Sequence, residues 1–235
     1  MIVLRNVSDV VQLDDVKYIL AQDANLTIPP GRYALLLGEP ILGRYAVDLL
    51  AGTRPPLKGR IYCSGLRSWP IGRGGVLQGA LTGEHIVGLI ARLYGLDRTL
   101  CESILERVLT NPAQLGNIMS DWPAPLRREF IFTLALLPKF SVYVVEGAFP
   151  AQTGRFAKLW APLFGDRTMG QTLIMSNLRT PTEFMNYCDK ALVFDRGRVF
   201  IESNLEHALT RYVSASQEAE NSQKDQSARE DEEEF

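Results

Sequence analysis

The sequence predicts an α/β protein, and three observations carry that prediction. Short β-rich runs alternate along the chain with stretches at helical spacing. One of these runs, Phe140-Ser-Val-Tyr-Val-Val145, is bounded by Pro138 and Gly147 and has the composition of a strand buried on both faces. A second apolar run, Tyr33-Ala-Leu-Leu-Leu37, enters a loop bounded by Gly38 and Gly43 and continues into the amphipathic run Ala46-Val-Asp-Leu-Leu-Ala51. That is the strand, glycine-bounded loop and helix of a phosphate-binding loop.

In order, Met1-Ile-Val-Leu-Arg-Asn-Val7 alternates loosely and Asn25-Leu-Thr-Ile28 alternates cleanly, so both are expected as strands. Pro29-Pro-Gly31 turns the chain into the strand before the loop. Arg60-Ile-Tyr-Cys63 follows Pro55, Pro56 and Gly59 and reads as another short strand. Ile86, Leu89, Ile90, Leu93 and Tyr94 recur at helical spacing over 84–95, and helix continues over 100–109, ending near Asn111-Pro112. Residues 126–137 read as a helix stopped by Pro138. After the 140–145 strand come a helix over 153–165, the buried strand Thr172-Leu-Ile-Met175 and a helix over 181–188. Ala191-Leu-Val-Phe194 and Val199-Phe-Ile201 flank the turn Asp195-Arg-Gly-Arg198, and a last helix covers 204–213. The alternation builds an α/β core, and the β-rich beginning implies an attached antiparallel subdomain.

The 235 residues suffice for one large domain. The longest apolar run, Phe130-Ile-Phe-Thr-Leu-Ala-Leu-Leu137, is far short of the roughly 20 residues that span a bilayer. The start lacks the basic and apolar regions of a signal peptide. Cys63, Cys101 and Cys188 are odd in number and lack metal-ligand spacing, so reduced, mostly buried thiols in a cytoplasmic protein are expected. His85 and His207 are too scattered for a metal site. Residues 214–235 carry eight acids and two bases, leaving residues 1–213 at about +4 against the total of −2. This acidic tail has too few apolar residues to bury a core and is expected to be disordered. The body's small positive excess gives no argument for nucleic acid as a partner.

Four stretches then narrow the reading. They are Ile28-Pro-Pro-Gly-Arg32; Ser68-Trp-Pro-Ile-Gly72; Gln78-Gly-Ala-Leu-Thr-Gly83 with Ala91-Arg-Leu-Tyr-Gly95; and Tyr187-Cys-Asp189 ahead of Ala191-Leu-Val-Phe194. With the order of elements, they resemble the ATP-binding subunits of ABC transporters, and more narrowly those that export capsular polysaccharide and O-antigen in Gram-negative bacteria. The resemblance covers residues 1–213. It implies a P-loop NTPase (RecA-like) ABC ATPase fold, with an antiparallel β subdomain and a helical subdomain at roughly 84–137. It also implies a dimer that sandwiches two ATP molecules, each between one subunit's P-loop and the other's signature loop, beside a membrane-embedded partner.

The residues at the family's ATP-site positions are at odds with that chemistry. A phosphate cradle needs inward backbone N–H groups, a Lys and a short hydroxyl for Mg²⁺. Gly38 and Gly43 are present, but Pro40 has no N–H and Ile41 stands where the family has its middle glycine. Glu39 adds negative charge, Arg44 replaces Lys, and Tyr45 carries its hydroxyl at the end of a rigid ring. The strand Val142-Tyr-Val-Val145 should end in Asp-Glu and ends in Glu146-Gly147, which keeps one carboxylate and lacks the general base. The signature loop aligns with Trp122-Pro-Ala-Pro-Leu126, where Pro123 and Pro125 remove donors, with Arg127 and Arg128 opening the helix. Asn177 stands where a switch histidine is expected, and Thr153 where the D-loop Asp is expected. Gln78 matches the Q-loop glutamine, which in the family touches Mg²⁺ and lies under the membrane partner.

The reading is a vestigial P-loop in a pseudo-ATPase with no catalytic residue, no metal and no cofactor expected. The chain would serve as an accessory, structural or regulatory subunit of polysaccharide export. It would be cytoplasmic and peripheral on the inner face of the bacterial inner membrane. Its partners would be an export permease and a second ABC subunit, in a homodimer or heterodimer. Because both the P-loop and the signature loop depart from the pattern, a mixed dimer would have no complete site. Two alternatives stay open. One is a divergent ATPase binding Mg-ATP, with Arg44 and Glu146 replacing Lys and Asp. The other is a module binding an anion or a nucleotide sugar through Arg44, Arg73 or Arg127.

Overall fold

The structure, a computed structural model, describes residues 1–73, 80–147, 154–176 and 181–212. Strands β1 (Ile2–Leu13), β2 (Val16–Ile28) and β4 (Lys58–Cys63) form an antiparallel sheet in the order β2-β1-β4. β1 and β2 run well beyond the stretches 1–7 and 25–28 that alternation marks. They meet across Asp14-Asp15, both at positive φ (43° and 64°). A two-residue hairpin needs that geometry, and Asp tolerates it better than most residues. The intervening residues mix Asp and Gln with apolar side chains, of which Val11, Leu20, Ala21 and Ala24 are buried, and bulges between Leu4 and Val10 break the register. Those bulges interrupt the period of two, so simple alternation marks only the end of the ladder far from the turn.

The second sheet has the order β5-β6-β3-β7-β8. Its members are β3 (Gly31–Leu37), β5 (Val142–Glu146), β6 (Thr172–Ser176), β7 (Lys190–Asp195) and β8 (Arg198–Glu202). All pairs are parallel except β7 with β8. The central strands are buried on both faces. Ala34 and Leu36 point into one core with Tyr143, Val145, Met175 and Val193, beneath α5 (Gly154–Thr168) and a helix at 205–212. Tyr33, Leu35 and Leu37 point into the other, shared with α1 (Gly43–Ala51) and the antiparallel sheet. The two cores follow from the period of two along each strand.

Helices α2 (Gly83–Tyr94), α3 (Arg98–Val108) and α4 (Ala124–Leu134) build a third cluster. Thr82 and Asp97 cap the first two, accepting from the His85 and Leu100 N–H groups. The inner face of α2 is Ile86, Val87, Ile90 and Ala91, while Leu89 and Leu93 are 46% and 67% exposed. The expected apolar set over 84–95 therefore straddles two faces. α4 begins two residues before the expected 126 and ends three before 137; Leu136 and Leu137 N–H groups bond to Thr133 and Leu134 carbonyls in tighter turns. α5 extends to Thr168 with Pro162 inside it, and α6 is Pro181–Tyr187. Among the described residues, no helix is long and apolar enough to cross a membrane.

Candidate functional site

The site lies where β3 and β5 end, at the first turn of α1. Gly38 N–H bonds to the Phe194 carbonyl at 2.9 Å, and a Cβ there would stand 2.2 Å from Asp195 Oδ1. A side chain at the first glycine would thus displace the Asp195 carboxylate at the end of β7. Pro40–Leu42 then form a single 3-10 turn: Leu42 N–H bonds to the Glu39 carbonyl at 3.0 Å, and Gly43 N–H bonds to that of Pro40. Those two amides are spent within the loop. Gly43 is right-handed at φ −51°, and a Cβ there would meet only Leu37 Cδ1 at 3.9 Å, so the second glycine uses none of its special freedom.

Ile41 and Arg44 are exposed, whereas Leu42 is buried. The Tyr45 ring packs on the core below α1, with the Arg54 guanidinium over its face at 5.7 Å. Arg54 also pairs with the buried Asp9 of β1. Tyr45 therefore serves as a packing residue between α1 and the antiparallel sheet.

Across from α1, Glu146 ends β5 and pairs with Arg73 through Nε. Arg73 Nη1 reaches Asp48 of α1 at 2.5 Å, and its Nη2 donates to the Arg44 carbonyl at 3.4 Å. The three side chains are sheltered, at 15%, 18% and 22% exposure. Burial opposes the charge on Arg73, but its hydrogen bonds to Glu146 and Asp48 outweigh that, and its pKa is raised. Asp48 also accepts from Thr53 Oγ1 at 2.8 Å. Sequence reasoning placed Arg73 only as an anion contact and passed over Asp48; the available signal was one acid in the otherwise apolar body of α1.

Gly147 follows at φ +87°, its N–H bonded to the Ser176 carbonyl at 2.8 Å. A side-chain-bearing residue there would be strained, although the space is open. The segment aligned with the signature loop lies on the helical cluster. Trp122 is buried, donates from Nε1 to the Asn117 carbonyl at 3.2 Å and stands edge-on to Phe130 at 5.2 Å. A Cβ on Gly83 would come within 2.7 Å of its ring. Pro123 caps α4 and Pro125 sits in its first turn, positions that tolerate proline because their N–H groups have no helical partner. Arg127 donates to the Ser120 carbonyl at 2.9 Å and Arg128 is exposed. Gln78, Thr153, Asn177 and the acidic tail lie outside the described residues. No group of metal-ligating side chains occurs among the described residues.

No protein-family model matches the chain. It is similar to the polysialic acid transport ATP-binding protein KpsT of Escherichia coli, 26% identical over 218 residues that cover 90% of this chain and 96% of that protein. It is likewise similar to the capsule polysaccharide export ATP-binding protein CtrD of Neisseria meningitidis, 25% identical over 194 residues, 82% of this chain and 89% of that one. Among solved structures, an ATP-binding subunit of an ABC transporter matches with a TM-score of 0.68 at 16% identity, covering 86% of this chain and 90% of that one. The dimeric bacterial ABC transporter cassette MJ0796 matches with a TM-score of 0.66 at 14% identity, covering 86% and 98%.

Proposed function

We propose that this chain, whose fold is that of an ABC ATPase cassette and which is similar to the ATP-binding subunits of capsular polysaccharide and O-antigen export systems, is a non-catalytic subunit of such a system. It docks on a membrane-embedded permease from the cytoplasmic side, as a homodimer or beside a competent ATPase subunit, and contributes structure or regulation rather than turnover. The observation that carries this reading is the Arg73 guanidinium between Asp48 and Glu146.

A magnesium nucleotide of the usual kind does not fit these residues. The carboxylate that would hold the metal through water is engaged by a guanidinium. The loop amides at 42 and 43 are bonded internally, and Tyr45 is held in packing. Gly147 offers no side chain to polarise water. The divergent-ATPase reading needs Glu146 free for a metal, and its pairing with Arg73 speaks against that. The anion-site reading needs Arg44, Arg73 or Arg127, of which Arg73 is already neutralised by carboxylates. The exposed apolar side chains Leu89 and Leu93 on α2, with Leu81 before it, support a protein partner on the helical subdomain.

The test is calorimetry of Mg-ATP into the purified full chain, with a competent relative as positive control. No binding heat is expected at millimolar nucleotide. Micromolar binding with phosphate release abolished by Glu146→Gln would overturn the reading in favour of a divergent ATPase.

A further inference from the structure

We infer that Arg73 is a built-in cation standing in for the divalent ion of the nucleotide-loaded cassette, and that it ties helix α1 to the end of β5 without any ligand. This rests on the non-catalytic reading and goes further by naming the group that makes the site self-sufficient.

Three features place the guanidinium. The first is the strap that delivers it. Residues 67–72 run beside β5 like a short extra strand, with Arg67 and Ile71 bridged in parallel to Val142 and Val145. Ser68 N–H bonds to the Val142 carbonyl at 2.9 Å, Ile71 N–H to that of Val144 at 2.8 Å, and Glu146 N–H to that of Ile71 at 2.7 Å. Ser68 Oγ, almost wholly buried, accepts the Val144 N–H at 2.9 Å. The second is Gly72, at φ +92°, where a Cβ would lie 2.5 Å from the Glu146 carbonyl oxygen. Only glycine lets the strap turn there and aim the next side chain across the strand end. The third is the fork itself. Its donors reach β5 through Glu146, the middle of α1 through Asp48 and the first turn of α1 through the Arg44 carbonyl.

A planar guanidinium suits this task better than an ammonium, because its three nitrogens each donate to a separate acceptor. Without it, two sheltered carboxylates would face each other with no counter-charge, and an external cation would be drawn in. With it, α1 and the central sheet are coupled at all times, and the arrangement does not await Mg²⁺.

The experiment is thermal unfolding of the full chain in EDTA and in millimolar MgCl₂ or MnCl₂. Wild type should show the same Tm in all three. Arg73→Gln should lower the Tm in EDTA by about 3–6 °C and recover part of the loss with either cation. Arg73→Lys should remain indifferent to metal. The double variant Arg73→Gln with Glu146→Gln should lose the metal response, since one of the two carboxylates is gone, and carries the test together with Arg73→Lys if the single Gln variant does not fold. A metal-dependent Tm in wild type or in Arg73→Lys, or an Arg73→Gln protein indistinguishable from wild type in both conditions, would overturn the inference. Mg-ATP binding by wild type would instead strike at the proposed function, so the two failures are read on different axes.

Discussion

At the level of single residues, the site turns on groups whose roles come from their neighbours. Tyr45 is a poor metal ligand in sequence terms, and in the fold it is a packing surface for Arg54. Gly147 is the clearest case of a residue chosen by backbone. Its φ of +87° admits little but glycine, so the absence of a side chain there and the local turn are one fact. Gly147→Ala should therefore cost about 1–2 kcal/mol, measurable as a lower urea midpoint at unchanged m-value. Gly147→Glu should be destabilised at least as much and should release no phosphate from ATP. Glycine, proline and tyrosine at 147, 125 and 45 were legible as departures from a phosphate site. The pairing of Arg73 with Glu146 and Asp48 was not, because the three are far apart along the chain.

Among the elements, the N-terminal end of α4 is held by backbone conformation and packing. Two prolines occupy a helix start where they cost nothing in hydrogen bonds, and Trp122 anchors that start against α2 through Gly83 and against Phe130. Trp122→Ala should cost about 3–5 kcal/mol, read by denaturant unfolding, and should loosen the helical subdomain first, seen as faster amide exchange in α2 and α4. The helices were visible from their spacing to within a few residues. The β1–β2 hairpin was only half visible, since bulges interrupt its period of two although Val7, Val11, Leu20 and Ala24 still reach the core.

For the whole molecule, the buried ionisable groups make an alkaline limit. Burial, reinforced by Asp189, pushes the Cys188 thiol up from 9.0 to about 12. Burial also raises the Tyr33 and Tyr143 hydroxyls above their ordinary value of 10.0. In each case the folded state holds its proton more tightly than the unfolded chain does. The associated stability is whole below about pH 9 and is lost as pH rises through the folded values. For Cys188 the full effect is on the order of 4 kcal/mol. Stability measured by urea unfolding should fall from pH 9 to 11, and Cys188→Ala should show a shallower fall over that range.

The sequence by itself determined the α/β core, the order of strands and helices and the resemblance to a cassette family. These depend on local periodicity, turn residues and short motifs, all of which act between near neighbours. Only the tertiary structure decided what the Gly38–Tyr45 loop and its surroundings contain. The 3-10 turn uses its own amides, the strap along β5 aims Arg73, and two carboxylates from different elements meet that one cation. Such contacts are made by sheet register and helix placement, which bring residues 48, 73 and 146 together from segments that share no local pattern.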